Sequence, residues 1–196
     1  MKNIFKFLMI AMVVLAGSSC EDSDLIIDEV LDSVDTETGA IVRTIESPAE
    51  LVTANNPDNN NIAMVLEVQQ GNGSFVPDFK EVRVYVKLWE DQDLTTPVTD
   101  GAGNDVAEVL VTTLPSSQFT IDSNGLPRTS VEFPTQFILD AYPADAQITV
   151  PSFIALRLEL EMSNGNIFTD TNVGATISGG IYFNAPFLYR IIFLNI

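Results

Sequence analysis

The chain has 196 residues, with 27 acids against nine Lys and Arg, no histidine and one cysteine, for a formal net charge of −18 at pH 7. Without histidine it can build neither a Ser-His-Asp triad nor a Cys-His pair, and one thiol supplies neither an internal disulfide nor the usual zinc ligand sets. So acidic a chain repels phosphate backbones, which excludes nucleic acid as a partner.

From the N-terminus, Lys2 and Lys6 precede the apolar run Phe7 to Ala16 and the small residues Gly17, Ser18 and Ser19, the order of a secretory signal over residues 1–19. The apolar run is half of the roughly 20 residues a membrane-spanning helix needs. The stretch Leu15-Ala16-Gly17-Ser18-Ser19-Cys20 resembles a lipoprotein signal, which is cleaved just before a cysteine that then carries lipid. It departs from the usual pattern in having Gly17 where leucine commonly stands, and ordinary cleavage near Ser18 is the alternative. With the signal removed, two bases and no acids are lost and the net charge becomes −20. A domain of that charge is repelled by anionic lipid, so the expected membrane attachment is the acylated Cys20 alone, several chains making it effectively permanent.

Residues 20–39 read as an acidic tether. Eight acids and no base lie between Glu21 and Glu37, and their mutual repulsion extends the chain. Within it, Ile27, Val30, Leu31 and Val34 follow the spacing of one helical face with Asp24 as a cap, which is the alternative of a short docking helix.

From residue 40 to 196 the pattern turns to period two. In Glu81–Trp89, Val82, Val84, Val86 and Leu88 point one way and Arg83, Tyr85, Lys87 and Trp89 the other; Ile154, Leu156, Leu158, Leu160 and Met162 repeat the alternation. Further strands are expected at 40–46, 62–69, 106–112, 128–133, 166–170 and 187–194, divided by Asn-, Gly- and Pro-rich turns. Only residues 134–142 read as a short helix, between Pro134 and Pro143. About eight strands joined by short turns predict an all-β domain, an antiparallel immunoglobulin-like β-sandwich, with a small barrel as the alternative.

Candidate sites are few. Tyr85 and Trp89, on the polar side of one strand, suit stacking on sugar rings or anchoring a partner protein. Asp91, Asp93, Asp100 and Asp105, with Gly101 and Gly103 between them, are the calcium candidates, although their spacing fits no known calcium loop and solvated turns explain them equally. Glu159 and Glu161 share an outward strand face, where paired acids are far more often solvated than catalytic. The apolar run 187–194, with Arg190 its one charge, is expected either to pair inside its own sheet or to be donated to a neighbouring subunit.

Taken together, the signal ending in Cys20, the acids Glu21, Asp22 and Asp24 behind it, the tether, and segments such as Phe79-Lys80-Glu81-Val82-Arg83-Val84-Tyr85-Val86-Lys87 and Gly125-Leu126-Pro127-Arg128 resemble small lipoproteins of the Bacteroidota. In that group, acids behind the lipidated cysteine resemble a signal for display on the outer face of the outer membrane. Many members accompany SusC/SusD-type nutrient importers, and some are of the SusE class, with immunoglobulin-like domains. The resemblance implies a non-catalytic, lipid-anchored cell-surface protein that binds a glycan, a peptide or another envelope protein. The alternative is a fimbrillin-like adhesin subunit that assembles by strand exchange. It carries over no catalytic residue and no resident cofactor, calcium being the one ion the acidic loop invites.

Overall fold

Strict alternation in two long segments sets the centre of the structure. The computed structural model describes residues 39–71, 77–174, 177 and 183–194; the signal, Cys20, the acidic tether and its candidate helix lie outside them. The described residues form ten strands: β1 (Ala40–Glu46), β2 (Leu51–Thr53), β3 (Asn61–Gln70), β4 (Phe79–Trp89), β5 (Val109–Pro115), β6 (Thr120–Ile121), β7 (Pro127–Pro134), β8 (Ser152–Met162), β9 (Ile167–Phe168) and β10 (Leu188–Leu194). Among the elements described in full, the α-helix α1 (Thr135–Asp140) follows β7 directly.

β4 and β8 run antiparallel, with Val82 opposite Leu160, Val84 opposite Leu158 and Val86 opposite Leu156. Those six side chains are fully buried, because both strands send their aliphatic sets to the same face. The six-stranded sheet has the order β2-β10-β8-β4-β5, with β9 pairing β8, and the four-stranded sheet the order β1-β3-β7-β6. Val42 of β1, Ile62, Met64 and Leu66 of β3 and Phe133 of β7 join the same core as the β4 and β8 residues. The molecule is therefore mostly β, two sheets around a shared apolar core, consistent with an all-β sandwich.

The differences from expectation have local causes. Strands β2 and β6 are three and two residues long, too short to carry a period, so ten strands stand where about eight are expected. β5 begins three residues late because Val106 is already engaged, its N–H donating to the Val98 carbonyl. The helix is shorter than 134–142: Pro134 ends β7, and Thr135 starts α1 with both its N–H and its hydroxyl donating to the Asn60 carbonyl at 2.8 Å. Tyr142 lies beyond the helix, buried, and donates to the Val86 carbonyl at 3.0 Å; burial pushes its phenol well above the ordinary value.

The apolar C-terminal run is not an open edge. β10 pairs antiparallel with β8 on one flank and parallel with β2 on the other. Among the described residues no helix is long and apolar enough to cross a membrane.

Candidate functional site

The outward side of the six-stranded sheet gathers most of the polar chemistry. Register places Glu81 beside Glu161, Arg83 beside Glu159, Tyr85 beside Arg157, Lys87 beside Ala155 and Trp89 beside Phe153. Alternation turns all of these away from the core, as the sequence requires. They do not remain a set of free groups.

Arg83 contacts Glu159 at 2.5 Å and Glu81 at 2.7 Å and also pairs with Glu161, while Lys80 reaches Glu161 at 2.8 Å. Burial opposes the charge on Arg83, but its hydrogen bonds to Glu159 and Glu81 outweigh that and hold its guanidinium above the ordinary value. Arg157 donates twice to Glu108, at 2.9 and 2.7 Å, and to Glu159 at 3.3 Å. The bidentate bond to Glu108 is the main reason its guanidinium is also raised. Glu159 and Glu161 thus form a charge lattice with cations, an arrangement that suits strand adhesion better than proton transfer.

The two aromatic candidates are half-buried and already covered. The Arg157 guanidinium lies 4.4 Å from the Tyr85 ring centroid, and the Lys87 ammonium 4.6 Å from that of Trp89. Each is a cation–π contact that occupies one ring face. A sugar meeting either ring on that face would first have to displace a cation. The indole Nε1 of Trp89 is buried with no hydrogen-bond partner. Lys87, two residues before Trp89 on the same strand face, was the signal in the sequence that this ring would be covered.

The acidic loop after β4 is built from two capped turns. The Asp91 carboxylate accepts from the Thr96 N–H at 2.6 Å and the Thr95 N–H at 3.1 Å. That of Asp100 accepts from the Asn104 N–H at 2.8 Å, the Ala102 N–H at 2.9 Å and the Asn104 side-chain amide at 3.0 Å. Hydrogen bonds from Asn104 lower the Asp100 carboxyl; for Asp91, desolvation works upward but the Thr96 and Thr95 amides win, and it too lies low. Gly103, at φ 82°, holds the left-handed position of the second turn. Asp93 and Asp105 are exposed on the same loop. Among the described residues no group of three or more His, Cys, Asp or Glu is placed to hold a metal ion, so the calcium candidates do not converge, and Asp91 and Asp100 are turn caps. Replacing Asp100 by alanine should accelerate amide hydrogen exchange at Ala102 and Asn104 with little change elsewhere, as read residue by residue by NMR; unchanged exchange would contradict the capping role.

The sequence offered no sign of the most enclosed charge. Glu67 of β3 is fully buried on the outward side of the four-stranded sheet, bonded to Arg128 at 2.8 Å, Arg43 at 3.3 Å, Asn124 at 2.7 Å and Gln69 at 2.9 Å. Arg128 continues the chain of charges to Asp122 at 2.5 Å. The triad spans three strands, with Arg43 and Arg128 opposite Glu67 in the two flanking registers.

Against known proteins, the chain matches no family model and no curated protein.

Proposed function

We propose that the chain is a non-catalytic, surface-exposed outer-membrane lipoprotein whose immunoglobulin-like domain serves as an accessory ligand- or partner-binding subunit of an outer-membrane complex, a SusCD-like nutrient importer. The observation that carries the reading is the strand order. Reading β1, β3, β7 and β6 as strands A, B, E and D, and β2, β10, β8, β4 and β5 as A′, G, F, C and C′, makes the order within the two sheets a support for the immunoglobulin-like assignment. Domains of this kind are scaffolds for recognition, and the pairing of Glu159 and Glu161 with Arg83 and Arg157 leaves that face without a free carboxylate dyad. The lipid hook at Cys20 and the acids behind it supply the address, and the net charge leaves the anchor as the means of attachment.

The test is affinity capture of the tagged full-length chain from native membranes in mild detergent. A large β-barrel and a SusD-like lipoprotein are expected with it, and Cys20→Ser should release the chain from the membrane fraction. Recovery of the chain alone, or as a ladder of SDS-resistant oligomers, would count against the reading, the ladder in favour of strand exchange.

A further inference from the structure

The outward face of an antiparallel sheet whose other face is buried is ordinarily polar along its whole length. On the six-stranded sheet it is polar at one end only. Toward the other end the registers align Leu51 of β2, Ile192 of β10, Phe153 of β8 and Trp89 of β4 as one row across four strands. None of the four faces the core, because each alternates with a buried neighbour, Val52, Ile191, Ile154 or Leu88. Leu51 is 41% exposed and the other three are half-buried. Leu110, 48% exposed and opposite Tyr85, and Leu188, opposite Arg157, widen the apolar surface.

The charge of the molecule also fades on this face. The described residues include 19 Asp and Glu and seven Lys and Arg. Five of those bases, Lys80, Arg83, Lys87, Arg157 and Arg190, sit here, against the four acids bonded to Arg83 and Arg157. The face is therefore within one charge of neutral, whereas the other described residues hold 15 acids and two bases. Two copies of so acidic a chain repel each other on most approaches, and a neutral, apolar face is the approach on which they do not. The area is sufficient. Five strands side by side, the longest of eleven residues, span on the order of 800 Å², about what each partner contributes to a stable interface.

We propose that the outward face of the six-stranded sheet is a homodimer interface, a second copy of this chain laying the same face over it about a two-fold axis so that the row of Leu51, Ile192, Phe153 and Trp89 meets its equivalent. The charges select this occupant. Most of the ionic groups on the face are already paired with one another, which leaves little to recruit a strongly acidic or basic partner, and a copy brings the same near-neutral surface. The contact goes beyond the accessory role proposed above and is independent of it, since that role is read from other proteins in the membrane complex.

The experiment is sedimentation velocity on the full-length chain in a density-matched mild detergent, with fluorescence followed on the same samples. Trp89 is the only tryptophan of the chain, so its emission reports on this row alone. Monomer should convert to dimer with half-conversion below about 100 μM, and the Trp89 emission should shift to the blue and become harder to quench with acrylamide over the same concentrations. Leu51→Glu and Ile192→Glu, both outside the core, should each weaken association at least about tenfold by placing a desolvated carboxylate in the contact, with thermal melts confirming that they fold. Ile121→Glu, at a residue 56% exposed on the other sheet, should leave it unchanged. Added salt should tighten the dimer, because both copies are acidic overall and screening reduces their repulsion. A chain that stays monomeric throughout, a dimer that leaves the Trp89 signal unaltered, or one that Ile121→Glu weakens as much as Leu51→Glu does, overturns the proposal. So does association that falls as salt rises, which would belong to unlike charges.

Discussion

Replacing Phe187 by alanine should destabilise the domain by about 3–5 kcal/mol, the usual cost of deleting a fully enclosed aromatic ring. Phe187 is among the largest completely buried side chains, and its carbonyl accepts the Leu158 N–H at 2.7 Å, which fixes the ring beside the central strand β8. Equilibrium unfolding in urea would read the loss as a lower midpoint with unchanged slope, and a thermal melt as a drop of roughly 6–20 °C for a domain of this size. The backbone supplies a second criterion. Phe187 has φ 57°, a left-handed conformation that favours glycine over alanine by about 1 kcal/mol. Phe187→Gly should therefore be no less stable than Phe187→Ala, although it removes one more carbon. Phe137, 49% exposed, is the control, and its alanine variant should stay within about 0.5 kcal/mol of the parent. A small effect at Phe187 would mean that the ring does not close the core there.

The same residue shows where sequence periodicity runs out. Alternation predicts a strand from 187 to 194, and from Leu188 onward it is right, with Tyr189, Ile191 and Phe193 buried. At Phe187 the chain turns instead, and hydrophobicity alone cannot distinguish a buried turn from a buried strand end. β4 and β8 are legible because each sustains period two over most of eleven residues. The capped turns at Asp91 and Asp100 are legible in part: an Asp four residues before a Thr or Asn, with glycines between Asp100 and Asn104, is turn chemistry, and that pattern was competing with the calcium reading. What lay beyond reach depends on pairing between distant strands. Tyr85 is identifiable as outward-facing from its own strand, but its cover comes from Arg157 on β8. Glu67 likewise reads as a solvated polar residue between Leu66 and Val68, and only the registers with β1 and β7 bring Arg43 and Arg128 over it.

That buried carboxylate carries the second large effect. Glu67→Ala should cost about 3 kcal/mol, because removing the buried centre of the ionic group leaves Arg43 without its carboxylate, Arg128 with Asp122 alone, and the hydrogen bonds to Asn124 and Gln69 unmade. The pH dependence separates charge from packing. Burial alone would raise the Glu67 carboxyl, but hydrogen bonds from Arg128, Asn124 and Gln69 together hold it below its ordinary value of 4.5. A carboxyl lowered on folding contributes its full stabilisation above the unfolded value and loses it as pH falls through the folded one. The gap in unfolding free energy between parent and Glu67→Gln, which preserves volume, should therefore be widest near neutral pH and narrow below about 4.5, as measured by urea titrations across that range. A gap independent of pH would assign the effect to shape alone. Replacing Arg43, Glu67 and Arg128 together by leucine should recover much of what the single substitution loses, since an apolar cluster removes the three central charges at once and leaves only the part-exposed Asp122 without its partner. If the triple variant is instead worse than Glu67→Ala, the ionic lattice itself, and not the avoidance of a stranded charge, holds β1, β3 and β7 in register.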